Sequence, residues 1–338
     1  MRDPNKFGRR RGRPSRVAVY RQLETQIKEL NERLGGLPAP AEASHIWKGI
    51  WLEEAHHSTA LEGNTLVQRQ VEELLANGLA VGNKELREYM EVRGYASAAE
   101  WVYGQAIEPG DWSTGSPITL SELRHIHQLA LQPVWDVAPH EDATEAERPG
   151  NWRLHDIEPF PGGMKPPDFT SVPRLVTDWI AEVGTAKAES ETFPEDLARL
   201  HARFEQIHPF IDGNGRAGRL VLNLILIRSG YPPAIIYKRD RRKYLRALER
   251  SDQGDPGPLG ELLARAVLDN LHRFIVPAIA GPARLVALPA LAREGFTANA
   301  LRVAATRGRL QAVKAADGTW RSSQVWVDDY VASKYKRH

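Results

Sequence analysis

The chain has 338 residues, of which 42% are apolar and 26% charged, so it can bury a sizeable core and has room for two or three domains. It contains no cysteine, which excludes disulfide staples and thiol chemistry. The net charge of +2 is unevenly spread. Residues 1–16 carry seven basic and one acidic side chain and residues 296–338 carry eight basic and three acidic, so the body between them is net acidic. The basic N-terminus lacks the apolar run of a signal peptide, and no apolar stretch reaches membrane-spanning length. A cytoplasmic location without membrane contact is the expectation.

The apolar spacing Val19, Leu23, Ile27, Leu30, Leu34 predicts a first helix that stops at Gly35-Gly36. A second helix is expected from Ala41 to about Leu61, ending at Glu62-Gly63-Asn64, and a third is expected with Thr65 as N-cap and Gln68 completing a capping box. Helical patterns follow over roughly 84–106, 119–132 and 171–184. Residues 133–170, rich in Pro, Gly and acidic groups, predict loops with at most one short hairpin. Helical signal returns from Pro194, then from Asn214 to Gly230, over 240–250 and over 258–275. With few strand signals, the expected fold class is all-α.

After Gly281-Pro282 the composition changes. Residues 283–335 read as a small unit of short helices, the second capped by Thr297, followed by a hairpin turning at Asp317-Gly318. The expected division is a basic tail over 1–16, a helical region over 17–110, a core over 111–280 and a terminal unit over 281–338.

Residues 208–219, His-Pro-Phe-Ile-Asp-Gly-Asn-Gly-Arg-Ala-Gly-Arg, hold one imidazole, one carboxylate, three glycines and two arginines in twelve positions. Gly213, Asn214 and Gly215 can turn successive N–H groups inward at the start of a helix, whose positive dipole end favours phosphate. Arg216 and Arg219, three apart, can clamp neighbouring phosphate oxygens. Asp212 offers hard oxygens for magnesium, and His208 can accept a proton near neutral pH. Taken singly, a histidine before proline is usually structural and Gly-Asn-Gly is an ordinary turn; in combination they supply a base, a metal ligand and a phosphate cradle.

This string resembles the signature of the Fic family, H-P-F-x-[DE]-G-N-G-R-x-x-R, at every fixed position. The resemblance implies a mainly helical Fic fold with a short β-hairpin flap. It also implies an enzyme that uses ATP and Mg2+ to place AMP on a Ser, Thr or Tyr hydroxyl of a target protein. His208 would then be the general base, Asp212 the metal ligand, Gly213, Asn214, Gly215 and Arg216 the binders of the alpha and beta phosphates, and Arg219 the holder of the gamma phosphate. Phe210 would be an apolar anchor of the loop. Asn223 and Tyr244 are further candidates for the nucleotide pocket.

Ser58-Thr-Ala-Leu-Glu62-Gly63 resembles the family's inhibitory motif [ST]-x-x-x-E-[GN], in which the glutamate pairs with the second signature arginine. Glu62 would then sit on Arg219 in a partly buried pair, with Ser58 one turn earlier on the same face. Residues 150–169 occupy the place of the family's flap, with Trp152, Leu154 and Ile157 as its apolar contacts.

The terminal unit resembles a winged helix-turn-helix of the excisionase type, with Arg302, Arg307 and Arg309 on or after its second helix and Lys314 and Arg321 on the hairpin. DNA is one expected partner, and protein docking or a homodimer is the other. Arg11-Gly12-Arg13-Pro14 matches the core of a minor-groove arm. The sequence leaves open a DNA-binding regulator whose Fic site senses nucleotide, and an enzyme that removes AMP rather than adding it.

Overall fold

The computed structural model describes residues 14–40, 43–105, 115–159, 163–281, 284–315 and 317–335. Arg11 to Arg13 of the basic arm lie outside them. The helix α1 (Arg16–Leu34) is capped by Ser15 and closed by Gly35 in the left-handed region, and it buries the predicted stripe from Val19 to Leu30. The next helix, α2 (Ser44–Leu61), ends at Glu62.

Thr65 does not cap α3 (Gln68–Asn77). Glu88, in the first turn of α4 (Leu86–Tyr103), takes both the Thr65 N–H and its hydroxyl, at 2.6 and 2.8 Å, so a charged acceptor outcompetes the local turn. The helix α3 starts after Val67 instead, whose N–H is satisfied by the Gln70 side chain.

Then come α5 (Leu120–Trp135), capped by the Thr119–Glu122 box, α6 (Val172–Val183), α7 (Phe193–Ile207) and α8 (Asn214–Arg228). Nearly every residue of α8 is buried, its polar Asn214, Arg216, Arg219, Asn223 and Arg228 included, and it packs against α2, α4, α5 and α7. The helices α9 (Arg241–Asp252), α10 (Gly257–Asn270) and α11 (Val276–Ile279) complete the body, with a π turn over Leu271–Ile275 before α11. One apolar cluster runs from Val19 to Ala290 through these helices.

The terminal residues form β1 (Val286–Ala287), a 3₁₀ turn, α12 (Ala298–Thr306), β2 (Val313–Lys314), β3 (Trp320–Ser322) and α13 (Gln324–Tyr335). The sheet is antiparallel in the order β1-β3-β2, with Val286 opposite Ser322 and Val313 opposite Arg321. Thr297 caps α12 as predicted, and a second apolar cluster of Leu288, Phe296, Leu301, Leu310 and Val327 holds these elements together. The first of the short helices expected there, before Thr297, is only a 3₁₀ turn (Leu288–Leu291) after β1, and α13 carried no sequence signal strong enough to be foreseen. These are the strands among the described residues, in a protein that is otherwise mainly helical.

The expected short β-hairpin flap is not formed by the described residues of 150–169. Pro159, Pro166 and Pro167 remove ladder donors there. The buried Arg153 ties the loop down instead: its guanidinium donates to the backbone oxygens of His208 (2.9 Å), His155 (3.0 Å) and Pro167.

Candidate active site

At the end of α7, His208 takes a left-handed conformation (φ 48°) that costs a non-glycine residue about 1–2 kcal/mol. Contacts on both sides hold it: its N–H reaches the Phe204 oxygen at 3.1 Å, its own oxygen accepts from Arg153, and its Nδ1 lies 3.0 Å from the Glu205 oxygen. A carbonyl only accepts, so Nδ1 carries the proton and Nε2 is the basic nitrogen. Burial lowers the His208 pKa below its ordinary value, keeping the ring neutral near pH 7.

The loop that follows is closed by Asn214, whose amide oxygen accepts from Phe210 N–H (2.9 Å) and whose amide nitrogen donates to the Phe210 oxygen (2.8 Å). The Asn214 side chain therefore shapes the loop, and only its backbone stands at the helix start. The fully buried Phe210 ring stacks on His127 at 3.6 Å between centroids, and Trp152 is tilted against it at 5.0 Å. His127 accepts from Gly150 N–H at Nδ1 and so donates from Nε2 to the Asp212 oxygen at 2.9 Å. Burial takes its pKa down to about 4, consistent with this neutral double role.

Gly213 (φ 78°) makes the turn into α8, and a Cβ added there would lie 2.4 Å from Leu131. Gly213→Ala should thus destabilise the fold by about 1–3 kcal/mol, read as a lower urea midpoint. An unchanged midpoint would mean that the turn is not packed as described.

Asp212 Oδ1 accepts from Gly213 N–H (2.6 Å) and from Arg216 Nη2 (3.1 Å), while Oδ2 has a long 3.4 Å contact with Arg87. Burial alone would raise its pKa, but Arg216 and the Gly213 N–H outweigh it, and the carboxylate stays ionised. Arg216 is buried, with Glu91 3.7 Å from its Nη1, an atom that makes no hydrogen bond.

Arg219 is held by α2 at three points: Nε to Ser58 Oγ (2.7 Å), Nη2 to the Ser58 oxygen (3.0 Å) and Nη2 to Glu62 Oε1 (2.7 Å). The Arg219 side chain is 4% exposed and that of Glu62 41%, so the pair is sheltered on the arginine side and open on the carboxylate side. Burial would raise the Glu62 pKa, but Arg219 and Arg216 lower it below the ordinary carboxylate range. A Cβ on Gly215 would come within 2.5 Å of Glu62 Oε1, so this glycine lets the carboxylate reach across the start of α8.

His208, Asp212, Gly213, Asn214, Gly215, Arg216, Arg219, Glu62 and Tyr244 line one cavity of about 1260 Å3. Asn223 does not. It lies on the face of α8 turned to α2 and α4, where it donates to the buried Glu54 (2.7 Å) and accepts from Ala234 N–H (2.8 Å), and it is 0% exposed. Trp152, Leu154 and Ile157 also stand outside the cavity, which this segment reaches through Pro159, Gly163 to Lys165 and Pro167 instead.

The sequence reading missed several residues that support the site. Arg153 sits in a loop without periodicity, and no pattern marked it. His127 falls in the apolar stripe Leu123, Ile126, Ala130, where a histidine signals a satisfied buried ring. Glu54 stands two turns before Glu62 on α2 and receives hydroxyl hydrogen bonds from Tyr95 (2.7 Å) and Tyr103. Burial pushes its pKa up to about 7.

Residues 117–226, which contain this loop and most of α8, match the model of the Fic/DOC family. This segment is a Fic domain. Over 260 residues the chain is 29% identical to the protein adenylyltransferase Fic of Drosophila willistoni and 28% identical to that of Drosophila melanogaster. Each match covers 75% of this chain and 48% of the relative, so the chain spans about half the length of these curated relatives. The fold is similar to Fic-1 from C. elegans (residues 134–508; TM-score 0.60, 24% identity, 76% of this chain and 72% of that one). It is also similar to a Fic domain containing signaling protein from Bacteroides thetaiotaomicron (TM-score 0.58, 25% identity, 75% and 95%). No helix among the described residues is long and apolar enough to cross a membrane.

Proposed function

We propose that this Fic protein transfers AMP from ATP to a Ser, Thr or Tyr hydroxyl of a target protein, and that α2 restrains it. The observation that carries the reading is that the neutral His208, Asp212, the start of α8 and both arginines face one cavity, into which Glu62 also projects. In the proposed reaction His208 Nε2 takes the hydroxyl proton, the hydroxyl oxygen bonds to the alpha phosphorus, and the bond to the beta-bridging oxygen breaks to release pyrophosphate. The N–H groups in the first turn of α8, together with Arg216, face the oxygens on which charge grows.

Asp212 fits a magnesium ligand. One of its oxygens is engaged by two donors, the other has only the long Arg87 contact, and Mg2+ characteristically takes one or two carboxylates with phosphate and water oxygens. Bound there, it would supply charge neutralisation to the phosphates.

The restraint is the occupation of Arg219 by Glu62: with that guanidinium taken, the gamma phosphate has no partner to fix it and ATP sits unproductively. The test is incubation of parent, Glu62→Gly and Glu62→Gly/His208→Ala chains with alpha-labelled ATP and magnesium, with and without lysate. Labelling by the single variant that is lost in the double supports the reading. Absence of labelling, with release of AMP from a modified protein, would favour a removing enzyme.

A second partner is proposed for the terminal unit. Between Gly295 and Ala315 the chain has no carboxylate, and Arg302, Arg307, Arg309 and Lys314 are exposed along α12, the turn after it and β2. Duplex DNA suits such a face, because each phosphate neutralised releases counterion and steepens the salt dependence. Arg307→Gln/Arg309→Gln should flatten the log–log salt slope of duplex binding by about 1.8, at 0.9 per contact. An unchanged slope would remove this face from any DNA contact.

A further inference from the structure

A second concave surface lies beside the catalytic cavity, on the outward side of α9. Tyr244 and Ala247 bury one face of this helix. On the other, Arg242, Arg246 and Arg250 recur every fourth residue and so stand in one row, which Arg239 extends from the preceding turn. These four arginines line a groove of about 640 Å3, walled on its far side by Glu261 of α10. Arg250 pairs with Asp255 and Arg239 lies near Asp240, but Arg242, Lys243 and Arg246 form no ion pair among the described residues. In a body that is net acidic, the exposed Arg242, Lys243 and Arg246, which have no carboxylate partner among the described residues, are not explained by folding.

The position of this groove gives it meaning. Glu249 and Gln253 line both the groove and the cavity that holds His208 and Arg219, so the two adjoin at the edge of α9. A segment lying in the groove and extending past Gln253 would reach the rim of the catalytic cavity.

We propose that the α9 groove docks an acidic segment of the protein whose hydroxyl is modified. This rests on the transferase reading above and names the chemistry of its protein substrate: carboxylates flanking the acceptor hydroxyl. An extended acidic peptide is favoured over a nucleic acid because Glu249 and Glu261 also line the groove, beside and opposite the row of cations. A peptide can place uncharged residues against them, whereas a phosphate backbone presents charge at every step.

The test uses the full chain without nucleotide, so that it is independent of whether transfer occurs. Two labelled peptides share one serine acceptor and differ only in a flank of four glutamates or four glutamines, and binding is read by fluorescence anisotropy at low salt. The glutamate peptide should bind at least tenfold more tightly. Arg242→Gln/Arg246→Gln should bring it to within about twofold of the glutamine peptide, while a fluorescent ATP analogue binds the variant as it binds the parent. Equal binding of the two peptides by the parent, or undiminished binding by the double variant, would overturn the proposal. So would an RNA or DNA oligonucleotide that binds more tightly than the glutamate peptide and is lost with the same substitutions. The labelling experiment with alpha-labelled ATP can fail while this one succeeds, which separates the two readings.

Discussion

Glu62→Gly should raise AMP incorporation into the chain and into its targets by at least tenfold. Tenfold corresponds to about 1.4 kcal/mol. An ion pair exposed on both sides usually yields less. This one has a buried guanidinium and a carboxylate open to the cavity, so it sits between the exposed and buried cases. Removal of Glu62 leaves Arg219 still oriented by the Ser58 hydroxyl and carbonyl, ready for a phosphate oxygen rather than collapsed elsewhere. Ser58→Ala is therefore expected to have a different signature: it loosens Arg219 itself, and should lower transfer when combined with Glu62→Gly. Equal rates for parent and Glu62→Gly in purified protein would end the brake.

The other large effect is expected at His208. His208→Ala in the Glu62→Gly background should reduce transfer by about 10²–10⁴, the range of a positioned base, while ATP affinity stays within about twofold. Because burial lowers the His208 pKa, the base is mostly neutral at pH 7, and the acid limb of activity should be centred below the ordinary value of 6.5. The sign follows from the required form: the neutral ring accepts the proton, so its protonation at low pH removes the activity. An acid limb centred above pH 7 would assign the titration to another group. Full transfer by the alanine variant would remove the imidazole from the chemistry.

What could be read from the sequence followed from periodicity and from dense chemistry. The stripe of α1, the starts of α7 and α8 and the Thr297 cap were legible because each rests on local spacing or a local hydrogen bond. The 208–219 segment was legible because no core or ordinary turn needs its residue types together. Long-range competition was not legible. Thr65 looks like a cap until Glu88, 23 residues away, offers a charged acceptor. Asn223 looks like a pocket residue because it follows Arg219 by one turn, but that same spacing turns it toward Glu54, a carboxylate that a lone sequence would place in water. Asn214 reads as a phosphate binder through its backbone N–H; that its side-chain amide closes the loop that puts Asp212 and Gly213 in place was not legible. The flap region misled for a related reason: its prolines were visible, but the arginine that holds it without strands was not.

The most direct measurement is a crystal structure of the Glu62→Gly chain with a non-hydrolysable ATP analogue and magnesium. The expected result is a triphosphate laid across the start of α8, its terminal phosphate on Arg219 and its alpha phosphorus on the side of His208 Nε2. A nucleotide bound away from residues 208–219, or phosphates that leave both arginines untouched, would contradict the account.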